Sequence, residues 1–261
     1  MHTNSVPPWM VFTFTALCFI FAGCAPADVS IQIEGGVPAD QLSYYANSFD
    51  VPKNDLWEIA AFSQPGQLAN FKMAGVTYEN GRLNIQTQTG AFSSAAATSK
   101  FILKGDFDIQ IDCQIQFLKH EVNFDQVIFF DVIEQGRTVH TYQSAAFVLV
   151  KTLDMQTGII RAIQRRPGEH VRGKLRQIDG FHGTLRLVRI GDRITLFYRK
   201  MDSSRWSKLD TLSFTSDNVA VVFALQNFIL GRKKINATEP VKGYFDNFRI
   251  NAAENVIESE I

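Results

Sequence analysis

The chain has 261 residues, with 26 Lys plus Arg against 26 Asp plus Glu, so its formal net charge is zero at neutral pH. A balanced charge creates no global field toward DNA, RNA or an anionic membrane surface, and nucleic acid is not an expected partner. Hydrophobic residues make up 46% and Phe occurs 22 times, a supply of large flat side chains suited to the space between two face-packed sheets.

Residues 11–22 form an apolar run too short to span a bilayer as an ordinary membrane helix, and it ends in small residues before a cysteine. Phe21-Ala22-Gly23-Cys24 resembles a bacterial lipobox. That resemblance implies acylation of Cys24, which becomes the first mature residue and anchors the protein to a membrane by lipid alone. An ordinary cleaved signal peptide is the alternative, and both readings export the protein. Residues 1–23 are thus expected to be a signal peptide. Residues 24–43, small and polar and broken by Pro26, Gly35, Gly36 and Pro38, are expected to be a tether, with a single folded domain over 44–261.

Beyond the tether the sequence reads as strand after strand. The Asn80-Gly81 pair predicts a hairpin over 76–85, because both central residues of a tight two-residue turn need positive φ. A strand at 101–103 follows, and then the clearest period-two segment, 107–117. Phe107, Ile109, Ile111, Cys113, Ile115 and Phe117 there alternate with Asp108, Gln110, Asp112, Gln114 and Gln116. Side chains on a strand point to opposite faces in turn, so this segment covers a core and shows a row of carboxylates and amides on its other side. Further strands are predicted at 126–133, 146–153, 159–164, 184–190, 193–200, 219–226 and 244–250, with a Gly191-Asp192 corner. Segments 126–133 and 219–225 are apolar on both faces, as central strands are. Many strands and no long helical period argue for an all-β, two-sheet antiparallel β-sandwich. With the leader removed and Cys24 acylated, Cys113 remains alone, as a small core hydrophobe.

Ser48-Phe49-Asp50, Leu56-Trp57, Asn80-Gly81-Arg82-Leu83 and Lys104-Gly105-Asp106-Phe107-Asp108 resemble the first half of concanavalin A-like lectin/glucanase jelly rolls. The second half is similar at 183–198, Trp206 and the closing Gly243-Tyr244-Phe245-Asp246-Asn247-Phe248-Arg249-Ile250. The resemblance implies a jelly roll with a concave sheet able to hold a sugar chain. It also implies a structural Ca2+ on the rim, for which Asp246 and Asp50 are the expected ligands. Retaining glucanases of this superfamily carry Glu-x-Asp-x-Glu on one strand, which sets two carboxyls about 5 Å apart across the glycosidic bond. This chain lacks that motif. Asp106-Phe107-Asp108 with Asp112 further on, and Asp131-Val132-Ile133-Glu134, come nearest, and the odd spacing of the second puts its two carboxyls on opposite faces.

Several residues remain as candidates for ligand binding. Asp131 stands in an otherwise apolar strand, where a carboxylate needs an Arg, a ligand or the end of the buried stretch; Glu134 follows it. Arg161, Arg165, Arg166, His170, Arg172, Lys174 and Arg176 fall in a strand and the segment after it, expected to be a loop, relieved only by Glu169. Guanidinium groups fork onto carboxylate or sulfate, so Arg161, Arg165 and Arg166 would favour an acidic polysaccharide, unless the run is an ordinary solvated face. Trp206, Tyr198 and Tyr142 offer flat amphipathic rings on which a sugar could stack, whereas Trp57 is expected in the core. His120, His140, His170 and His182 are too scattered for a zinc site, and no nucleophile elbow or phosphate-cradling glycine loop is present.

These features together predict a lipid-anchored, exported protein of the bacterial cell envelope that binds carbohydrate without catalysis. The alternatives are a glycoside hydrolase or polysaccharide lyase with a non-standard catalytic set, and a structural or partner-binding lipoprotein.

Overall fold

The computed structural model describes residues 31–62, 70–119, 123–135, 143–228 and 238–258. In chain order the elements are α1 (Ala39–Tyr45), β1 (Trp57–Ala60), β2 (Phe71–Met73), β3 (Gly75–Tyr78), β4 (Leu83–Gln86), β5 (Phe92–Ser99), β6 (Phe101–Gln116) and β7 (Asp125–Glu134). They continue with β8 (Ser144–Lys151), β9 (Gly158–Arg166), β10 (Glu169–Ile178), β11 (Gly180–Ile190), β12 (Arg193–Lys200), β13 (Ser207–Ser213), β14 (Asn218–Phe228) and β15 (Lys242–Glu258). No described helix is long and apolar enough to cross a membrane.

Hydrogen bonds connect the strands into two stacked layers. The first runs β10-β9-β8-β7-β14-β5-β1, and the second runs β13-β12-β11-β6-β15-β4-β3. The layers join where β14 pairs briefly with β6, Asn218 opposite Lys104 and Val219 opposite Leu103. All these pairs are antiparallel; β2 adds a short parallel pair with β5. The predicted two-sheet sandwich is therefore the observed architecture.

The alternation in β6 sets the core. Phe107, Ile109, Ile111, Cys113 and Ile115 are buried between the layers, in register with Leu187, Leu185 and Phe181 of β11 on one side and Ile250 and Phe245 of β15 on the other. Phenylalanine fills this space as expected: Phe101, Phe107, Phe130, Phe147, Phe223, Phe245 and Phe248 are among its fully buried side chains. Trp57 packs against Phe223, Phe248 and Phe101 with ring centroids 4.7, 5.1 and 5.5 Å apart. Burial pushes the Cys113 thiol up, so it stays a neutral hydrophobe.

The turns follow their residues. Asn80 and Gly81 adopt φ of 55° and 66°, and Glu79 and Arg82 exchange backbone hydrogen bonds of 3.0 and 3.2 Å around them. Upstream, the Val37 amide donates to the Ala253 carbonyl at 2.8 Å, Leu42 of α1 is buried, and Asn47 bridges to Phe248. Packing onto β15 thus begins within the segment read as a tether.

Five strands were not predicted, β1, β2, β5, β10 and β13, and two of them bear on the site. β5, Phe92-Ser-Ser-Ala-Ala-Ala-Thr-Ser99, has few β-branched residues, but its small side chains fit between β14 and β1. β10 corrects the expected loop: after Pro167 and Gly168, whose φ is 73°, the chain doubles back and pairs with β9.

Candidate functional site

Because β9 and β10 are both strands, the basic run is divided between two faces. Arg165 lies opposite His170, and Ile163 lies opposite Arg172, all on the outer face of the first layer with Arg161. Arg166 points the other way, its guanidinium 3.4 Å from the Ser213 carbonyl, and the Gln164 amide also donates to that carbonyl. The Lys174 backbone amide donates to Asp210 at 2.8 Å, where β10 meets β13. The expectation that Arg161, Arg165 and Arg166 act as one cluster is corrected by strand alternation: Arg166 belongs to the seam between the layers.

The outer face of β7 presents Val127, Phe129, Asp131 and Ile133. Asp131 lies between Val222 of β14 and Ala146 of β8 and is fully buried, within an apolar patch that also holds Ala96, Val148 and Ala224. Phe62 covers part of the patch, its ring 5.0 Å from that of Phe129. Arg165 crosses diagonally from β9: its Nη1 is 3.4 Å from Asp131 Oδ2, and its guanidinium lies 5.8 Å from the Phe129 ring centroid. Burial pushes the Asp131 carboxyl up to about 6, against the pull of Arg165, the Ser144 hydroxyl and the Val132 amide.

Three buried polar atoms on this face, Asp131 Oδ1, Ser144 Oγ and Arg161 Nε, lack a partner in full hydrogen-bonding geometry, although the Ser144 hydroxyl lies near enough to Asp131 to pull its pKa down. Burial and the neighbouring Arg172 charge both lower the Arg161 pKa. Buried polar atoms are normally satisfied, so these three mark the patch as a place on this layer where hydrogen-bonding capacity is left over. At the β9 and β10 side of the patch the Arg165 side chain is 21% exposed, and Arg172 and His170 are exposed.

Other candidates fall elsewhere. Glu134 turns from Asp131, and its Oε2 accepts the Gln143 amide at 2.9 Å. Tyr198 points inward and meets the Phe181 ring at 6.5 Å; a core position replaces the expected sugar platform. Trp206 lies on the outer face of the second layer, only 8% exposed, with Arg199 and Arg186 at 4.7 and 5.4 Å from its ring centroid. Its ring is flanked by guanidinium groups rather than laid open as a platform. Asp246 lies close enough to Asp112 and Asp50 for their charges to reinforce the effect of burial and raise its pKa. Asp50 accepts the Ser48 hydroxyl at 2.6 Å, and Asp246 accepts the Asn247 amide at 2.6 Å. Among the described residues no group of three or more His, Cys, Asp or Glu side chains is placed to hold a metal ion. Tyr142, His120, His140 and Cys24 lie outside the described residues.

Sequence reasoning missed Ser144 and Phe129 as parts of the site. The available signal was register: pairing Asp131 with Ala146 puts Ser144 one diagonal step away, and that pairing cannot be read from β7 alone.

The protein family described as "Protein of unknown function (DUF1583) C domain" matches residues 70–254. The chain belongs to that family. No curated protein matches it. Among solved structures, this DUF1583 chain is similar to the Bacillus licheniformis beta-glucanase, with a TM-score of 0.57 and 12% identity over 79% of this chain and 96% of that one. A Bacteroides ovatus mixed-linkage glucan GH16 protein in complex with its G4G4G3G product gives a TM-score of 0.56 and 14% identity, covering 79% and 99%. The CBM2 module of the evolved Dit of Lactobacillus casei BL23 phage J-1 gives 0.56 and 13%, covering 79% and 95%. At these identities the likeness is one of fold, and that fold is the jelly roll of glucanases and carbohydrate-binding modules.

Proposed function

We propose that this DUF1583 protein is exported, anchored to a membrane of the bacterial cell envelope through Cys24, and recognises an acidic carbohydrate without cleaving it. The site is the outer face of β7–β9. The observation that carries the reading is the trio of buried, unpartnered atoms, Asp131 Oδ1, Ser144 Oγ and Arg161 Nε, around an apolar patch. Sugar hydroxyls can donate to Asp131 and exchange hydrogen bonds with Ser144, while the C–H face of the ring lies against apolar side chains. A uronate or sulfate group then meets Arg161 and Arg172. The solved jelly rolls of glucanases and binding modules support the choice of carbohydrate.

The noncatalytic reading rests on Asp131 having, among the described residues, no second carboxylate close to it on this face. Beside Asp131, the positions that a Glu-x-Asp-x-Glu strand would fill with glutamates hold Phe129 and Ile133. The next acid in the cross-strand row is Glu58 on β1, reached through Thr98 and Val222. Three strand spacings put it about 14 Å away, beyond the separation either hydrolytic stereochemistry uses.

Affinity gels cast with acidic and neutral polysaccharides, together with reducing-sugar assays, test this. Acidic polymers should retard the protein, salt should weaken the effect, and Arg161→Ala should weaken it about tenfold, with no reducing ends released. Equal retardation by neutral polymers, or release of reducing sugar that depends on Asp131, refutes the reading.

A further inference from the structure

On the outer face of the second layer, β11, β12 and β13 form a cavity of about 360 Å³. Register arranges its floor in cross-strand rows: Arg186, Phe197 and Lys208 in one, Val188, Thr195 and Thr211 in the next, and Ile190 beside Arg193 in the third. Trp206 and Ile31 complete the lining. Nothing in the proposed glycan site uses these residues.

Three properties identify what fits. The first is charge: among the described residues the lining holds Arg186, Arg193 and Lys208 and no carboxylate. Arg186 is committed to Asp108, Nε to Oδ1 at 2.8 Å, while neither Arg193 nor Lys208 has an ion-pair partner among the described residues. The second is apolarity: Ile190 is 48% exposed at the edge, next to Val188 on the same face of β11, and an exposed large aliphatic side chain next to a cavity gains from apolar cover. The third is the scarcity of free hydrogen-bonding groups on the floor, since Thr195 and Thr211 bond each other through their hydroxyls at 3.0 Å. A polyhydroxylated sugar ring would find few partners there. Trp206, held by Arg199 and Arg186, supplies a rigid wall.

We propose that the cavity beside Trp206 binds a small amphipathic organic anion, an alkyl or aryl body bearing one carboxylate. The apolar body packs on Val188, Ile190, Phe197 and Trp206, and the carboxylate meets Arg193 and Lys208 at the rim. The volume lies within the range of small-molecule sites, and the pairing of an apolar lining with a few charged groups fits that class.

Calorimetric titration of the full chain with octanoate, 1-octanol and octylammonium tests the proposal. Octanoate should bind saturably, and the neutral and cationic analogues at least about tenfold more weakly. Lys208→Glu with Arg193→Glu should weaken octanoate about tenfold at unchanged melting temperature, whereas Lys208→Arg retains it. If the double reversal lowers the melting temperature, Lys208→Gln with Arg193→Gln takes its place. Octanoate should also shift the protein's tryptophan emission, a response that Trp206→Phe should reduce, because Trp57 is sealed in the core. The proposal is overturned if octanoate fails to saturate, if octanol binds as tightly, or if binding survives the charge changes. Arg161→Ala should leave octanoate binding intact, so failure here and failure of the glycan reading are separate results.

Discussion

On the outer face of the second layer Asp108 is fully buried, yet both its oxygens are occupied: Arg186 meets it in a two-point fork, and Asn251 Nδ2 donates to Oδ1 at 3.0 Å. On the outer face of the first layer Asp131 is equally buried, but its Arg165 contact is a single one of 3.4 Å and Oδ1 has no partner. Both carboxylates sit on long central strands and both have an arginine from a nearby strand. What differs is completeness. A buried charge that is fully hydrogen-bonded is a structural element, whereas one left with an open valence costs stability and persists where something outside the fold completes it. Asp108 is thus part of the architecture, and the open position at Asp131 is what supports the proposal that it serves recognition.

The largest effect should come from breaking the complete network. Asp108→Ala strands the Arg186 guanidinium, 5% exposed, without its carboxylate, and should cost about 3–5 kcal/mol. Replacing both partners, Asp108→Leu with Arg186→Met, should restore much of that loss, since an apolar pair leaves no uncompensated charge. Chemical denaturation of the two variants measures this; a double variant no more stable than the single one would mean that the network contributes more than its charges.

Asp131 should show the opposite sign. Its folded-state pKa of about 6 lies above the ordinary aspartate value of 3.8, so the folded protein binds the proton more tightly than the unfolded chain. The resulting stability is fully present below about pH 4, is lost as pH rises through about 6, and is absent at neutrality. About two units correspond to ~3 kcal/mol. Asp131→Asn should therefore match the wild type near pH 4 and exceed it by up to ~3 kcal/mol at pH 7. Melting curves of the pair across pH 4–7 cancel the contributions of other groups; a variant that loses ground to the wild type as pH rises would reverse the assignment.

How these two carboxylates differ was not legible from the chain. The strict alternation of 107–117, the positive-φ pair Asn80-Gly81 and the Phe-rich composition carry the sandwich and its core, because each is a local property or a sum. That Asp131 needs a partner was equally local, since an acid among Val127, Phe129 and Ile133 is anomalous wherever the strand lies. Its partner depends on the register of β7 on β8 and β8 on β9, a tertiary property. β10 was missed for a related reason: Val171-Arg172-Gly173-Lys174-Leu175 lacks a clean period because the register shifts between Arg172 and Leu175. A basic run expected in a strand and a following loop therefore reads as one cluster. The Trp206 cavity depends on four separate segments, and nothing in Asp202-Ser203-Ser204-Arg205 announces the two guanidinium groups beside the ring.

The smallest expected stability change is the most discriminating for function. Arg161→Met keeps the length of the stem against Val148, its cross-strand neighbour, while removing a buried donor that has no acceptor and a charge repelled by Arg172. A side chain retained for packing would give a neutral or unfavourable change on such a replacement. An orphaned donor held for a ligand gives a gain, of about 1 kcal/mol, together with weaker binding of acidic polysaccharide. Thermal denaturation and affinity electrophoresis on the same sample read both quantities. Higher stability with lower affinity is the pattern of a residue kept at a cost for recognition. A gain in stability with unchanged affinity would leave Arg161 as an ordinary imperfection and move the recognition site away from β9.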